Sequence, residues 1–221
     1  MLKKMKLILL KLNIQNMNTL KVYYDSHAEN PRNFSEYDSV IAYKSSYILG
    51  EEVIPEPIDW LEEKLNVAKK YEYSNARLAE LEEIFFDRFI AKRIYLYEHS
   101  GFAVSTSPFS NKWDSGQVGY IYISKEKVRA NYGAKKVGKK LKQLVLDNLE
   151  AEVEELNHYV SGEVFGFKIL DSEGSVVDSC WGFYGDNFLE NGMLDNIDTS
   201  LLGITDEELK TLLKTIEPVF E

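Results

Sequence analysis

Hydrophobic residues recur at steps of three and four positions in several parts of the chain, which is the spacing of an amphipathic helix. Such a pattern begins near Pro57, a second follows the Ser74–Asn75 cap, and a short one near 206–216 follows Thr205. The longest predicted helix runs from about 134 to 160. Its apolar face is formed by Val137, Leu141, Val145, Leu149, Val153 and Leu156.

Short β-rich segments lie between these helices, and the clearest is 118–124 (VGYIYIS). The segments 163–170 and 175–185 flank a turn at Asp171–Gly174, which predicts a hairpin. We find no strand–helix–strand repetition and no glycine-rich turn between a strand and a helix. The pattern therefore predicts an α+β fold, with a mainly antiparallel sheet packed against several helices.

The chain start is interpreted as an extension of the domain. The apolar run at 7–10 is interrupted by Lys11 and is far shorter than the roughly 20 residues that cross a bilayer. We therefore expect residues 1–18 to be an N-terminal extension and 19–221 to be a single domain, whose acidic C-terminal third is 147–221. No membrane partner is expected.

The composition of the 221-residue chain is that of a folded protein, with 44% hydrophobic and 13% aromatic residues. A single cysteine forms no internal disulfide bond, so the expected location is a reducing cytoplasm, that of a host cell. Metal sites find no support, because the chain lacks paired thiolates and suitably spaced histidines. No metal or other cofactor is expected.

Cys180, in the motif DSCWGFYG (178–185), allows two interpretations. As a nucleophile it needs a base and an orienting acid. His99 and Asp114 are the candidates for these roles, which would make the protein a cysteine-dependent hydrolase or transferase. Free cysteine is, however, among the most buried residue types, and strand alternation places Cys180 and Trp181 on opposite faces. A structural role for Cys180 is the favoured interpretation.

The segment WDSGQ (113–117) superficially suggests a serine nucleophile at Ser115. A nucleophile elbow needs glycine two residues before and two residues after the serine, and Trp113 and Gln117 occupy those positions. We interpret the segment as a tight turn that is anchored by a buried Trp113.

Charge is distributed unevenly along the chain, whose net charge is −10. Residues 1–146 carry 23 Lys and Arg against 18 Asp and Glu, whereas 147–221 carry 3 Lys against 18 Asp and Glu. An acidic surface repels the phosphate backbone and attracts proteins with basic grooves. The C-terminal third therefore favours a protein partner or a ribonucleoprotein complex that has a basic groove.

A basic stretch precedes the acidic third. Between Lys125 and Lys142 there are eight Lys and Arg residues and one acid. The same helix then continues into carboxylates, an order opposed to the helix macrodipole, so local helix stability does not explain it. Solvated surface and direct nucleic-acid binding both remain open for this stretch.

Several motifs together resemble a family of uncharacterised proteins of phages and mobile elements. They are 22–25 followed by Asn30–Pro31–Arg32, ILG at 48–50, Leu96–Tyr97 with His99–Ser100, WDSGQVGYIYISKEKVR at 113–129, the segment 159–166 and DSCWGFYG at 178–185. The resemblance spans roughly residues 20–186. It implies a setting, an accessory protein that acts on host machinery, and it brings no catalytic residues.

The function expected from the charge and this setting is inhibition, without enzyme activity, of a host nucleic-acid-targeting defence complex, of the anti-CRISPR or antirestriction type. The protein would act through an acidic surface that partly mimics DNA. The expected partner-binding residues are Glu150, Glu152, Glu154, Glu155, Asp186 and Glu190.

Overall fold

The computed structural model describes residues 18–34, 38–44, 46–99 and 101–220. They divide into two compact units, a continuous one (30–161) and a discontinuous one made from 18–29 and 162–220. Helices and two sheets are present in these residues, so the predicted α+β fold is confirmed. The single domain expected over 19–221 stays a prediction, and the N-terminal extension lies outside the described residues up to position 17.

The continuous unit contains a five-stranded mixed sheet. Its strands are β2 (Val40–Lys44), β3 (Glu52–Ile54), β4 (Phe89–Glu98), β5 (Phe102–Ser105) and β6 (Ser115–Ser124); β1 (Thr19–Tyr24) belongs to the other unit. Their order in the sheet is β3-β2-β6-β4-β5. Only β2 and β3 are parallel, and the other pairs are antiparallel.

Four helices and one 3₁₀ turn complete this unit. They are the turn Pro31–Asn33 and the helices α1 (Pro57–Leu65), α2 (Asn75–Arg88), α3 (Lys125–Asn131) and α4 (Lys139–Ser161). The side chains of Ser74 and Ser124 accept backbone hydrogen bonds at the starts of α2 and α3. The long helix predicted from 134 begins only at Lys139, after Gly133 has turned the chain with a φ of 60°.

The sheet of the continuous unit lies between two helical layers. Successive side chains of β6 point to opposite faces, so Ile121 and Ile123 pack in the core beneath α4. Tyr120 and Tyr122 pack in the other core, with α1 and α2. Both faces are covered, and this is why β6 is buried without interruption from Val118 to Ile123.

The discontinuous unit has a three-stranded antiparallel sheet with the order β1-β7-β8. Its elements are β1 (Thr19–Tyr24), β7 (Val164–Leu170), β8 (Val176–Tyr184), α5 (Met193–Asn196), α6 (Thr199–Leu202) and α7 (Asp206–Leu213). The predicted hairpin is confirmed as β7–β8. The predicted cap at Thr205 is confirmed by a capping box with Glu208.

One detail of β8 differs from simple alternation. The pairing register shifts where Phe165 pairs with Phe183 and Gly166 with Trp181, which leaves Gly182 as a bulge with a φ of 83°. The extra residue reverses which face of the sheet the following side chains point to. Phe183 is therefore buried in the core with Cys180 packed nearby, whereas the Trp181 ring lies tilted beside the Tyr23 ring at a centroid distance of 6.2 Å. Strict alternation predicts Trp181 and Phe183 on one face, and this is wrong because the bulge separates them.

Candidate functional site

The candidate nucleophile and its partners are divided between the two units. In the continuous unit, the His99 imidazole Nδ1 lies 3.6 Å from the Asp114 Oδ2, and both side chains are open to solvent. Cys180 belongs to the discontinuous unit, where it packs partly buried against the apolar core. The structure thus brings together the predicted base and acid, and the catalytic role of Cys180 stays a prediction.

Trp113 is 97% exposed, so the prediction of a buried anchor is wrong. Polar groups hold the turn instead. The Asn111 side chain accepts a hydrogen bond from the Trp113 amide at 3.0 Å and donates one to the Asp114 carboxylate at 2.7 Å. An Asn side chain can form such a turn by itself, and this leaves the indole in solvent.

Two of the acidic residues expected to contact a partner have partners within the chain. Glu150 forms an ion pair with Lys92 and accepts a hydrogen bond from Thr106 at 3.3 Å. Glu152 is only 6% exposed, because the inward side of α4 places it against Arg32. The expectation of a surface carboxylate at position 152 is therefore corrected, since a helix this long alternates buried and exposed positions within each turn.

The remaining predicted contacts are exposed. Glu154 and Glu155 follow each other on α4, and no ion pair of the described residues involves either one. Asp186 and Glu190 lie in the discontinuous unit, in the turn region after β8. Glu190 there accepts a hydrogen bond from the Asn187 side chain at 2.8 Å. These four residues keep the exposure that their predicted role requires.

The basic stretch covers α3, the following loop and the first turn of α4. Lys127 forms an ion pair with Asp38 at 3.0 Å, and Lys125 donates to the Asp87 carbonyl oxygen. The other basic residues are exposed and, within the described residues, in no ion pair; they are Arg129, Lys135, Lys136, Lys139, Lys140 and Lys142.

A cavity of about 600 Å³ lies beside α4 in the continuous unit. Its floor is apolar and consists of Ile123, Val145 and Leu149. Its walls come from the 3₁₀ turn, the start of β2, the end of α3 and the middle of α4. The polar and aromatic residues that line it are Phe34, Asp38, Ser39, Asn131, Tyr132, Asn148, Glu152 and Glu155.

A buried polar network supports one side of this cavity. The Arg32 guanidinium forms ion pairs with Glu152 and, at 2.8 Å, with Glu51, and it donates to the Ser39 carbonyl oxygen at 2.9 Å. The Ser39 hydroxyl donates to Glu152 at 2.5 Å. Three backbone and side-chain acceptors therefore fix the guanidinium, and Arg32 in turn fixes Glu152.

Glu155 lies one helical turn from Glu152 and lines the same cavity. Partial burial, followed by the negative charge of Glu152, raises the pKa of Glu155 above its ordinary value, and Arg32 and His158 act in the opposite direction. On the other wall, hydrogen bonds from Lys127 and Asn131 lower the pKa of Asp38. Glu155 is thus a carboxyl group whose charge the chain itself does not favour.

This imbalance gives a testable pH dependence. Because the folded protein binds the Glu155 proton more tightly than the unfolded chain, the associated stability is present at low pH and is lost as pH rises through the folded pKa. Glu155→Gln imitates the protonated form. We expect it to raise the free energy of unfolding at pH 7 by up to about 0.5 kcal/mol, given the solvent exposure of this side chain.

The gain should disappear below about pH 4, where wild-type Glu155 is protonated in both states. Urea denaturation at intervals of about one pH unit from pH 3 to 8 measures the difference in the free energy of unfolding between the variant and wild type. Glu154→Gln removes the same charge elsewhere on α4 and controls for net charge. An equal gain in both variants would mean a helix-wide charge effect instead of repulsion by Glu152.

Comparisons with known proteins identify no relative. The chain matches no protein-family model, no curated protein and no solved structure. The family resemblance of the motifs therefore stays a prediction.

The described residues contain no group of three or more His, Cys, Asp or Glu side chains arranged to hold a metal ion. None of their helices combines the length and the apolar character needed to cross a membrane.

The sequence did not single out most of the residues that build the cavity. Arg32 belongs only to the Asn30–Pro31–Arg32 motif of the family resemblance, and Ser39, Tyr132 and Asn148 carry no signal, because they are isolated polar residues in ordinary contexts. They meet only in the fold, where the 3₁₀ turn and α3 both approach α4. Chemically, the cavity combines carboxylates, amides and a phenol above an apolar floor, which suits binding of a polar group with an apolar stem.

Proposed function

We propose that the protein is a binding protein without catalytic activity, which uses exposed carboxylates to contact a basic surface of a partner protein or ribonucleoprotein. The observation that carries the proposal is the order of charges along α4. The first turn of this helix contains lysines and no acid, whereas its later turns contain Asp147, Glu150, Glu154 and Glu155.

The start of this order is unfavourable for the helix itself. The N-terminal end of a helix carries partial positive charge, and a misplaced charge in the first turn costs about 0.3 to 1 kcal/mol at low salt, so the cost falls on Lys139, Lys140 and Lys142. The carboxylates from Asp147 to Glu155 lie outside the last turn, where the helix dipole gives them no stabilising role. We assign them instead to contact with a basic partner.

Asp147, Glu150 and Glu154 follow each other at steps of three and four residues, so they share one face of α4. Glu150 is partly neutralised by Lys92. Asp147 accepts a hydrogen bond from Gln143, and no ion pair of the described residues involves it. Asp147 and Glu154 therefore supply the negative charge that this face presents to a partner.

A nona-arginine peptide provides a defined basic probe for this surface. We expect wild-type protein to bind it with an affinity that falls steeply with salt, because exposed charges are screened over about 8 Å near physiological ionic strength. Neutralising the face with Asp147→Asn/Glu154→Gln should weaken binding about three- to tenfold at low salt, because it removes two charge contacts. Fluorescence anisotropy at two salt concentrations measures both effects.

The matched control is Glu83→Gln/Asp87→Asn, which removes the same number of exposed carboxylates from α2. It should change the affinity less than about twofold. Equal weakening by both pairs would overturn the assignment of the surface to α4. Preferential binding of duplex DNA or RNA over the peptide would instead favour the basic stretch 125–142 as a nucleic-acid surface.

A finer proposal follows from the family resemblance and the acidic C-terminal third: the partner is a host nucleic-acid-targeting defence complex, which must grip phosphates with a basic groove. The exposed carboxylates Asp186 and Glu190 of the discontinuous unit support it. The same pair of α4 variants tests it in cells. Protection of a phage against such a defence system should be reduced by the α4 pair and retained by the α2 control.

A further inference from the structure

The cavity beside α4 is lined by residues of one charge sign. Of the described residues that line it, three are carboxylates, Asp38, Glu152 and Glu155, and none is a Lys or an Arg. Two of these carboxylates already have cationic partners, because Arg32 pairs with Glu152 and Lys127 pairs with Asp38. Glu155 is in no ion pair among the described residues, so it is the carboxylate that a cation from outside would satisfy.

The floor and one wall suit a particular shape of cation. Ile123, Val145 and Leu149 are buried at the floor, and the Phe34 side chain, which is 51% exposed, lines the same cavity and gives an alkyl stem an apolar surface to pack against. Tyr132 is 42% exposed at the edge of the cavity, and the Asn148 amide donates a hydrogen bond to its hydroxyl at 3.0 Å. The phenol is therefore held in place while its ring remains accessible.

We propose that this cavity receives an arginine side chain of a partner, with Glu155 accepting hydrogen bonds from the guanidinium and Tyr132 stacking on its plane. A guanidinium is planar and weakly hydrated and can use two N–H groups on one carboxylate. A lysine ammonium is compact and strongly hydrated and makes poorer use of an aromatic wall. The proposal rests on the proposed function, since the basic partner supplies the arginine.

This assignment gives the two features of α4 separate roles. The face with Asp147 and Glu154 attracts a basic surface through charge that is exposed and readily screened. The cavity adds a partly desolvated contact, and arginine is enriched among the residues that dominate binding energy in such positions. The raised pKa of Glu155 is consistent with this role, because an incoming cation would offset both its burial and the repulsion from Glu152.

The test is a titration of the full chain with N-acetyl-arginine methylamide, in which ¹H–¹⁵N NMR spectra record binding. At concentrations of about 50 mM, well above a millimolar Kd, we expect saturable shifts of the Asn148 side-chain amide and of backbone amides around Glu155. The citrulline derivative has nearly the same shape without the charge and should give no saturable shift. The lysine derivative should bind several-fold more weakly than the arginine derivative.

Glu155→Gln keeps the shape of the side chain and should weaken arginine binding about tenfold or more, because it removes a charge-assisted contact. Tyr132→Leu should weaken binding about two- to fivefold by removing the aromatic face. The control Glu83→Gln removes an exposed carboxylate of α2 that does not line the cavity, and it should leave arginine binding unchanged.

Three outcomes would overturn the arginine site: no shifts with the arginine derivative, equal binding of citrulline or of lysine, or full affinity in Glu155→Gln. The nona-arginine measurement separates these failures from failure of the proposed function. If the peptide depends on Asp147 and Glu154 but not on Glu155, the acidic surface stands and the cavity assignment falls. If the cavity binds arginine while the Asp147→Asn/Glu154→Gln pair binds the peptide normally, the reverse holds.

Discussion

Arg32→Met should lower the free energy of unfolding by about 3 to 5 kcal/mol, because it leaves the buried carboxylate of Glu152 without its cation. The side chains of Arg32 and Glu152 are 5% and 6% exposed. A buried charge that loses its partner keeps its desolvation cost and loses the attraction that offset it. Urea denaturation monitored by circular dichroism gives the change directly.

The double variant Arg32→Met/Glu152→Leu is the informative control. Replacing both charges with apolar side chains removes the buried carboxylate together with its cation, so we expect it to recover much of the stability lost in the single variant. If the double variant is as unstable as the sum of Arg32→Met and Glu152→Leu measured separately, the two side chains are not energetically coupled. The cavity wall would then be held by the contacts of Arg32 with Glu51 and Ser39.

Phe85→Ala should also cost about 3 to 5 kcal/mol. Phe85 is fully buried between α2 and the sheet, and its removal leaves a cavity that the surrounding rings cannot fill. Its ring lies at centroid distances of 4.9 to 5.7 Å from five aromatic neighbours, which are Trp60, Phe86, Phe89, Tyr120 and Tyr122.

Phe86→Ala is the matched control, since Phe86 follows Phe85 on the same helix but is only partly buried. We expect it to cost about 1 to 2 kcal/mol, because less apolar surface is lost from the core. Thermal unfolding at one pH and salt concentration compares the two variants. An equal loss in both would show that Phe85 is not the centre of this aromatic cluster.

Much of the local structure was predictable from the sequence, because it depends on short-range patterns. The apolar face of α4 is visible in the steps from Val145 to Leu156, and four of its members are buried as expected. Ser74, Ser124 and Thr205 act as helix caps because their hydroxyls accept bonds from nearby amides. These contacts involve residues a few positions apart, so the sequence alone contains the relevant geometry.

The incorrect predictions from the sequence concern positions at which a single residue changes the local structure. The Gly182 bulge adds a residue to β8 and moves Phe183 to the core face, which strict alternation cannot anticipate. Trp113 is exposed because Asn111 holds its turn through polar bonds, although tryptophan is usually well buried. At Gly182 an extra backbone residue interrupts the alternation, and at Trp113 the hydrogen bonds of the turn outweigh the usual burial of the side chain.

The candidate site was predictable mainly in its charge. The excess of carboxylates after position 147 pointed to α4, and Glu154 and Glu155 proved to be exposed. Helical spacing places Glu152 on the inward face with Leu149 and Leu156, so its burial was predictable, whereas its partner Arg32 is distant in sequence and was not. The cavity itself is a product of tertiary packing, since its walls come from four elements that no local pattern connects.

The division of the chain has a consequence for its synthesis on the ribosome. All residues of the continuous unit have been made once Ser161 has been added. In contrast, β1 can pair only after β7 has been made, because Thr19 of β1 lies opposite Leu170 of β7. At about 5 to 20 residues per second, synthesis from Tyr24 to Leu170 takes roughly 7 to 30 seconds, and β1 has no partner strand during that time. A nascent chain released before β7 has been made would carry β1 as an unpaired strand, and unpaired strand edges promote aggregation.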